Sequence, residues 1–385
     1  MSLCAGDWVE VRSKEEILAT LDKDGRLEGM PFMPEMFEYC GQKLRVFKRA
    51  HKACDTINPL STRTLPSSVL LDTPRCSGAA HGGCQAQCTI FWKEAWLKPV
   101  SGDVAETLAS SGCTEEDVER ATRNGVNAKG KPLYRCQATT LPEFSTLTRT
   151  RNLSQFVEDV SSRNETLGTL LLTATYALFD FVTNAEWGQR REPVRRFYDW
   201  VQKLRGGVPY PRRKGFAENG NELPILALDL QPGELVRVKP WEEIRKLIST
   251  ENKHRGLYFD AEMIPFCGGV YRVRSIVRQF LDEPTGAMVT LKTPAVILDN
   301  VWCRSRYSNR RLLCPRAIYS WWREAWLERA PDAVAPSSAQ AAGAKTILID
   351  LVSEERKQRA AGAEAPTVAR APTADAAELV SEERS

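Results

Sequence analysis

One stretch of this chain is written twice, and that limits what it can fold into more than any other feature. Residues 6–46 and 233–273 align without a gap at an offset of 227 (Gly6 to Gly233). Gly6-Asp7-Trp8-Val9-Glu10-Val11 answers Gly233-Glu234-Leu235-Val236-Arg237-Val238, Glu35-Met36 answers Glu262-Met263, and Cys40-Gly41 answers Cys267-Gly268. The offset holds to Leu71-Asp72 and Cys76, against Leu298-Asp299 and Cys303, and then grows by three. Cys84 therefore answers Cys314, and Trp92 and Trp96 answer Trp322 and Trp326. A residue kept in both copies serves the module; one present in a single copy is a candidate for function.

Each copy opens on alternating residues, Trp8-Val9-Glu10-Val11 and Leu235-Val236-Arg237-Val238, a strand pattern of period two. Ser13 followed by Glu16 reads as a capping box opening a short helix, and Pro240 suits a helix start in the second copy. Lys43–Lys48, Val270–Arg274, Val69–Leu71 and Val296–Leu298 read as further strands. Trp92 with Trp96, and Trp322 with Trp326, are spaced to share a face of a closing helix.

Short strands, a Gly-Asp-x-Val-x-Val opening and a glycine before a later Arg-Val strand resemble small SH3-like barrels over residues 6–75 and 233–302. The resemblance implies tandem SH3-like repeats and brings no catalytic residue with it. The expected fold is α+β: an SH3-like repeat over 1–100, a mostly helical insert over 101–230, a second repeat over 231–330 and a disordered tail over 331–385. The insert is expected to hold helices near Thr114–Val118, Leu153–Val160, Leu167–Val182 and Arg191–Leu204. Ala, Pro, Glu and Ser dominate the tail, where Leu351–Arg356 recurs as Leu379–Arg384.

The chemistry-bearing segment is Cys76-Ser77-Gly78-Ala79-Ala80-His81-Gly82-Gly83-Cys84-Gln85-Ala86-Gln87-Cys88. Cys136, from the insert, adds a fourth thiol. Thiolates and an imidazole on a glycine-rich loop suit zinc, with an iron–sulfur cluster as the alternative. The metal ligands expected are Cys76, His81, Cys84, Cys88 and Cys136. Cys40, Cys76 and Cys84 have counterparts in the second copy, whereas Ile318 replaces Cys88 and no histidine lies between Cys303 and Cys314, so the first copy is the expected metal site. Buried apolar thiols are the competing reading.

The chain holds 53 basic and 49 acidic residues, a net charge of +4. That balance argues against a nucleic-acid partner, although Arg212-Arg213-Lys214 and Arg304–Arg311 are locally basic. The start lacks the pattern of a secretory signal, and the longest apolar run, Leu167–Val182, is shorter than a membrane span. With eleven cysteines, the expected place is the reducing cytoplasm. Glu35 and Glu262 are expected to cap a turn or to pair with Arg45 and Arg272, and His51 to lie on a surface strand. There is no Gly-x-Ser-x-Gly elbow, P-loop or dinucleotide fingerprint. The function expected is a binding or scaffolding protein with a structural metal in the first repeat, partnered by a protein or small molecule. A metal or redox enzyme using the Cys76–Cys88 loop is the alternative, ahead of nucleic-acid binding.

Overall fold

In the computed structural model the described residues are 2–58, 61–100, 112–148, 152–184, 191–204, 207–308 and 311–330. The expected disordered tail, with its repeated Leu351 and Leu379 segments, lies outside them. The described residues all belong to one compact unit. The fold mixes helices with antiparallel strand ladders, and one sheet curls as a half-barrel.

The two copies build the same ladder. Strand Trp8–Val11 pairs on one side with Lys43–Arg49 (Trp8 opposite Arg45) and on the other with Leu97–Pro99 (Val11 opposite Leu97). Strand Leu235–Val238 does the same with Val270–Asp282 (Leu235 opposite Arg272) and Leu327–Arg329 (Val238 opposite Leu327). Val46 opposite Leu71 and Val69 opposite Trp92 recur as Val273 opposite Leu298 and Val296 opposite Trp322. A one-residue slip in any of these strands would turn its buried valines to solvent, so the apolar alternation fixes the register.

The Ser13–Glu16 capping box is present and opens helix Lys14–Thr20, and Pro240 precedes helix Trp241–Ile244. The closing helix is not formed. Trp92 ends strand Thr89–Lys93, and Trp96 follows on a single 3-10 turn, Glu94–Trp96, before the chain re-enters the sheet. The turn carries both indoles inward onto Phe32, at ring distances of 6.2 and 5.1 Å, edge to face. Trp322 and Trp326 meet Phe259 in the same way, at 5.9 and 5.1 Å. These four fully buried tryptophans are core anchors; each edge-to-face pair contributes about 0.5–1.5 kcal/mol beyond its burial.

The insert forms the expected helices Glu115–Ala121, Ser154–Ser161, Leu167–Asn184 and Arg191–Leu204, and it also supplies strands. Hairpin Arg123–Val126 and Pro132–Tyr134 extends the second copy's sheet through Leu133 opposite Ala287. Thr146–Leu147 pairs with Thr62–Thr64 of the first copy. Helix Ser154–Ser161 carries Asp159 onto Lys52, whose Nζ lies 2.6 Å from Oδ2, both side chains being buried. His51 is buried here too, its Nε2 3.3 Å from Asp159 Oδ1, because the insert helix covers the strand expected at the surface.

The second copy reaches into the first. Its long hairpin, Val270–Asp282 and Ala287–Trp302, lays one end on the cysteine loop. Gln279 donates to the carbonyls of Gly82 and Gly83, and the Arg278 and Gln279 N–H groups donate to Gln85 Oε1. The Leu281 N–H donates to Cys84 Sγ at 3.3 Å.

Candidate metal site

The site begins with the same 3-10 turn in both copies, Pro34–Tyr39 and Ala261–Phe266, which carries Glu35 and Glu262 inward. Neither carboxylate pairs with the arginine expected of it. Arg45 and Arg272 donate instead to the carbonyls of Gly6 and Gly233, where they tie down the opening turn.

In the second copy the loop bonds the carboxylate: Glu262 Oε1 accepts from the Tyr307 N–H and, at 3.0 Å, from the Ser308 hydroxyl. Counted at the 227 offset, Ser308 corresponds to His81 (308 less 227). In the first copy, then, the equivalent carboxylate faces an imidazole and a thiol. Cys76 Sγ lies 3.2 Å from Glu35 Oε1 and 3.4 Å from His81 Nε2, and His81 Nδ1 lies 3.7 Å from Glu35 Oε1. Ligand atoms of the three residues all fall within 4.8 Å of one another. Ordinary zinc bond lengths give a tetrahedron with edges of about 3.4–3.6 Å. The Cys76 Sγ spacings to Glu35 Oε1 and His81 Nε2 lie near that value, while the Glu35 contact is to the other ring nitrogen, so one ion would need a small turn of the imidazole. Glu35 Oε2 and His81 Nδ1 are buried without a hydrogen-bond partner. Such orphans are costly, and a bound cation would relieve them.

The loop brings the other expected ligands close but not into this group. Cys84, Cys88 and Cys136 line the same cavity as Cys76 and His81, a space of about 40 Å³ also bordered by Glu283 and Arg316. That volume exceeds the roughly 10–15 Å³ one water needs, so an ion with a small ligand fits. Cys88 is tied to Cys76 by the bond from the Cys76 N–H to the Cys88 carbonyl, 2.9 Å. Cys84 is turned to the Leu281 N–H. The loop can double back because Gly78 sits at φ +72°, where a Cβ would lie 1.9 Å from the Cys84 carbonyl oxygen.

Burial raises the Cys76 pKa, and the Glu35 charge adds to it. Burial likewise pushes Cys88 up to about 12 and Cys136 to about 11. It lowers His81, although Glu35 pulls the other way. Near neutral pH the thiols are therefore protonated and the imidazole neutral until a cation displaces the thiol protons.

Glu35 is the member of this group that sequence reasoning left out, expecting it to cap a turn or to pair with Arg45. The one signal in the sequence was that a carboxylate shared by both copies faces Ser308 in one and His81 in the other. The basic segments behave differently from free cationic patches. Arg212 donates to Tyr176 and to the Tyr307 carbonyl, and Arg213 pairs with Glu192 and Asp199. Among the described residues no helix is long and apolar enough to cross a membrane. Comparison of the chain with protein-family models, with curated proteins and with solved structures finds no match.

Proposed function

We propose that this chain is a binding and scaffolding protein built from two SH3-like repeats, the first stabilised by a zinc ion on Glu35, Cys76 and His81, with Cys88 as fourth ligand. The observation that carries the reading is the contrast between copies: Glu262 Oε1 accepts two hydrogen bonds from its own loop, whereas Glu35 Oε2 and His81 Nδ1 are buried without a hydrogen-bond partner. Charge supports it as well. One carboxylate, one thiolate and a neutral imidazole offset a divalent cation, so the bound group adds no net charge to a buried site. Cys88 as thiolate would make four protein ligands, the closed set of a structural site, and leave one negative charge on the group, with the Arg316 guanidinium bordering the same cavity. The repeated ladder registers support the duplicated module, and the eleven free cysteines fit a reducing compartment such as the cytoplasm.

A second reading rests on a specific observation: four thiols, Cys76, Cys84, Cys88 and Cys136, border one cavity, the number an iron–sulfur cluster takes. It would make the chain a redox protein. Elemental analysis and a visible spectrum of protein purified without oxygen separate the two. About one zinc per chain, with no visible absorption and lost in Cys76→Ser, is the expected result. Iron with visible absorption would move the assignment to the cluster, and no metal from any preparation would end both.

A further inference from the structure

Away from the metal site, helices Leu167–Asn184 and Arg191–Leu204 lie side by side, joined by Phe179 stacked on Tyr198 at 4.6 Å. Their inner faces are occupied: Tyr210 donates to Asp180 at 2.9 Å, and Tyr176 meets Tyr307 edge to face. Among the described residues nothing covers their outer faces. Leu167, Leu171, Ala174, Leu178 and Phe181 all face solvent, at steps of four, three, four and three residues. Phe197, Trp200 and Leu204 continue the pattern on the second helix, at steps of three and four.

Three features define what fits there. The steps of four and three are those of a coiled-coil seam, which Leu172 widens by one position. The first helix has one charged residue, Asp180, and it is buried, so the exposed face carries no charge to repel its own copy. A helix resting on an anionic membrane surface carries Lys and Arg along its flanks; the first helix has none, while Arg196 and Lys203 flank the apolar face of the second and make an anionic vesicle the competing occupant that the test includes. Apart from Val194, the large exposed side chains of the two helices, Leu172 included, are 57–72% exposed. At roughly 200 Å² for each of them they leave about 1,000 Å² of apolar surface per chain, well beyond the roughly 300–600 Å² of a typical largest monomer patch. Pairing two-thirds of it across two chains buries about 1,300 Å², within the range of stable interfaces.

We infer that this face is an interface with a second copy of the chain, in which the Leu167–Asn184 helices of two copies pack about a two-fold axis and the Phe197–Leu204 faces flank them. A self-complementary uncharged seam is what an isologous contact needs.

The test is sedimentation equilibrium of the full-length chain from about 1 to 100 µM, with two paired variants, Leu171→Glu with Leu178→Glu and Leu171→Lys with Leu178→Lys. The wild type is expected at twice 43.2 kDa, each variant alone as a monomer, and an equimolar mixture of the two as a dimer again. Circular dichroism shows whether the variants keep the native fold. Should either misfold, Leu171→Ala with Leu178→Ala, which only trims the surface, is expected to weaken the dimer at least about tenfold. A monomeric wild type throughout, a Glu variant that dimerises like the wild type, or a monomer that floats with phosphatidylglycerol vesicles would each overturn the inference.

Discussion

Glu35 and Glu262 occupy equivalent positions, so the same substitution in each tests the metal assignment against itself. In Glu262→Gln the amide oxygen still accepts from Tyr307 and Ser308, but two charge-assisted bonds become neutral ones; the expected cost is about 1–2 kcal/mol, whether or not metal is present. Glu35→Gln behaves differently. Without metal, Glu35 Oε2 has no partner to lose; the bond affected is the weak one from the Cys76 thiol to Oε1, and removal of a buried charge offsets it, so stability changes little. With free zinc at a thousand times its dissociation constant, the wild type gains about 4 kcal/mol. A variant binding about a hundredfold more weakly gains only about 1.4 kcal/mol at the same free zinc, so the deficit is about 2.7 kcal/mol. The assay is urea unfolding of both variants in chelator and in a zinc buffer, with m checked for constancy. If Glu35→Gln lost the same 1–2 kcal/mol in chelator and in zinc, Glu35 would be a structural carboxylate like its twin, and the metal assignment would fall.

Further outcomes are expected. Cys76→Ser and His81→Ala should abolish stoichiometric zinc, whereas Cys84→Ser, whose sulfur is turned to the Leu281 N–H, should retain it by elemental analysis. Between about pH 6 and 8 the logarithm of zinc affinity should rise with pH, because burial holds the thiols protonated while His81, lowered by burial, contributes no proton; a slope of about one per pH unit means Cys76 alone ionises, and about two means Cys88 ligates as well. Asp159→Asn should destabilise the chain by about 3–5 kcal/mol, since it strands the buried Lys52 ammonium, and Lys52→Met with Asp159→Leu should recover much of that loss in a thermodynamic cycle.

The sequence was most legible where local pattern and burial coincide. The alternating valines of residues 8–11 and 235–238 fixed both strand and register, and the Ser13 capping box and the helix at 191–204 appear where their residues place them. Legibility failed where distant segments decide the outcome. The spacing of Trp92 and Trp96 fits a helix equally well, and only Phe32, sixty residues earlier, selects a strand and a 3-10 turn. His51 looks like a surface residue until helix Ser154–Ser161 covers it. The site divides in the same way. Cys76 and His81 lie on one loop and were visible together, but Glu35 lies forty-one residues before Cys76, and only folding joins them.

The hydrogen bonds from Gln279 and Leu281 to the cysteine loop also set a timetable. Leu281 follows Cys84 by 197 residues. At about 5–20 residues per second of synthesis, the thiols emerge roughly 10–40 s before the strand that closes over them exists. For that interval the loop is exposed to whatever cations and oxidants surround the ribosome. The finished pocket belongs to neither copy alone, so loss of the second half would leave the first with its loop thiols bare. Duplication has made the second half a cover for the first.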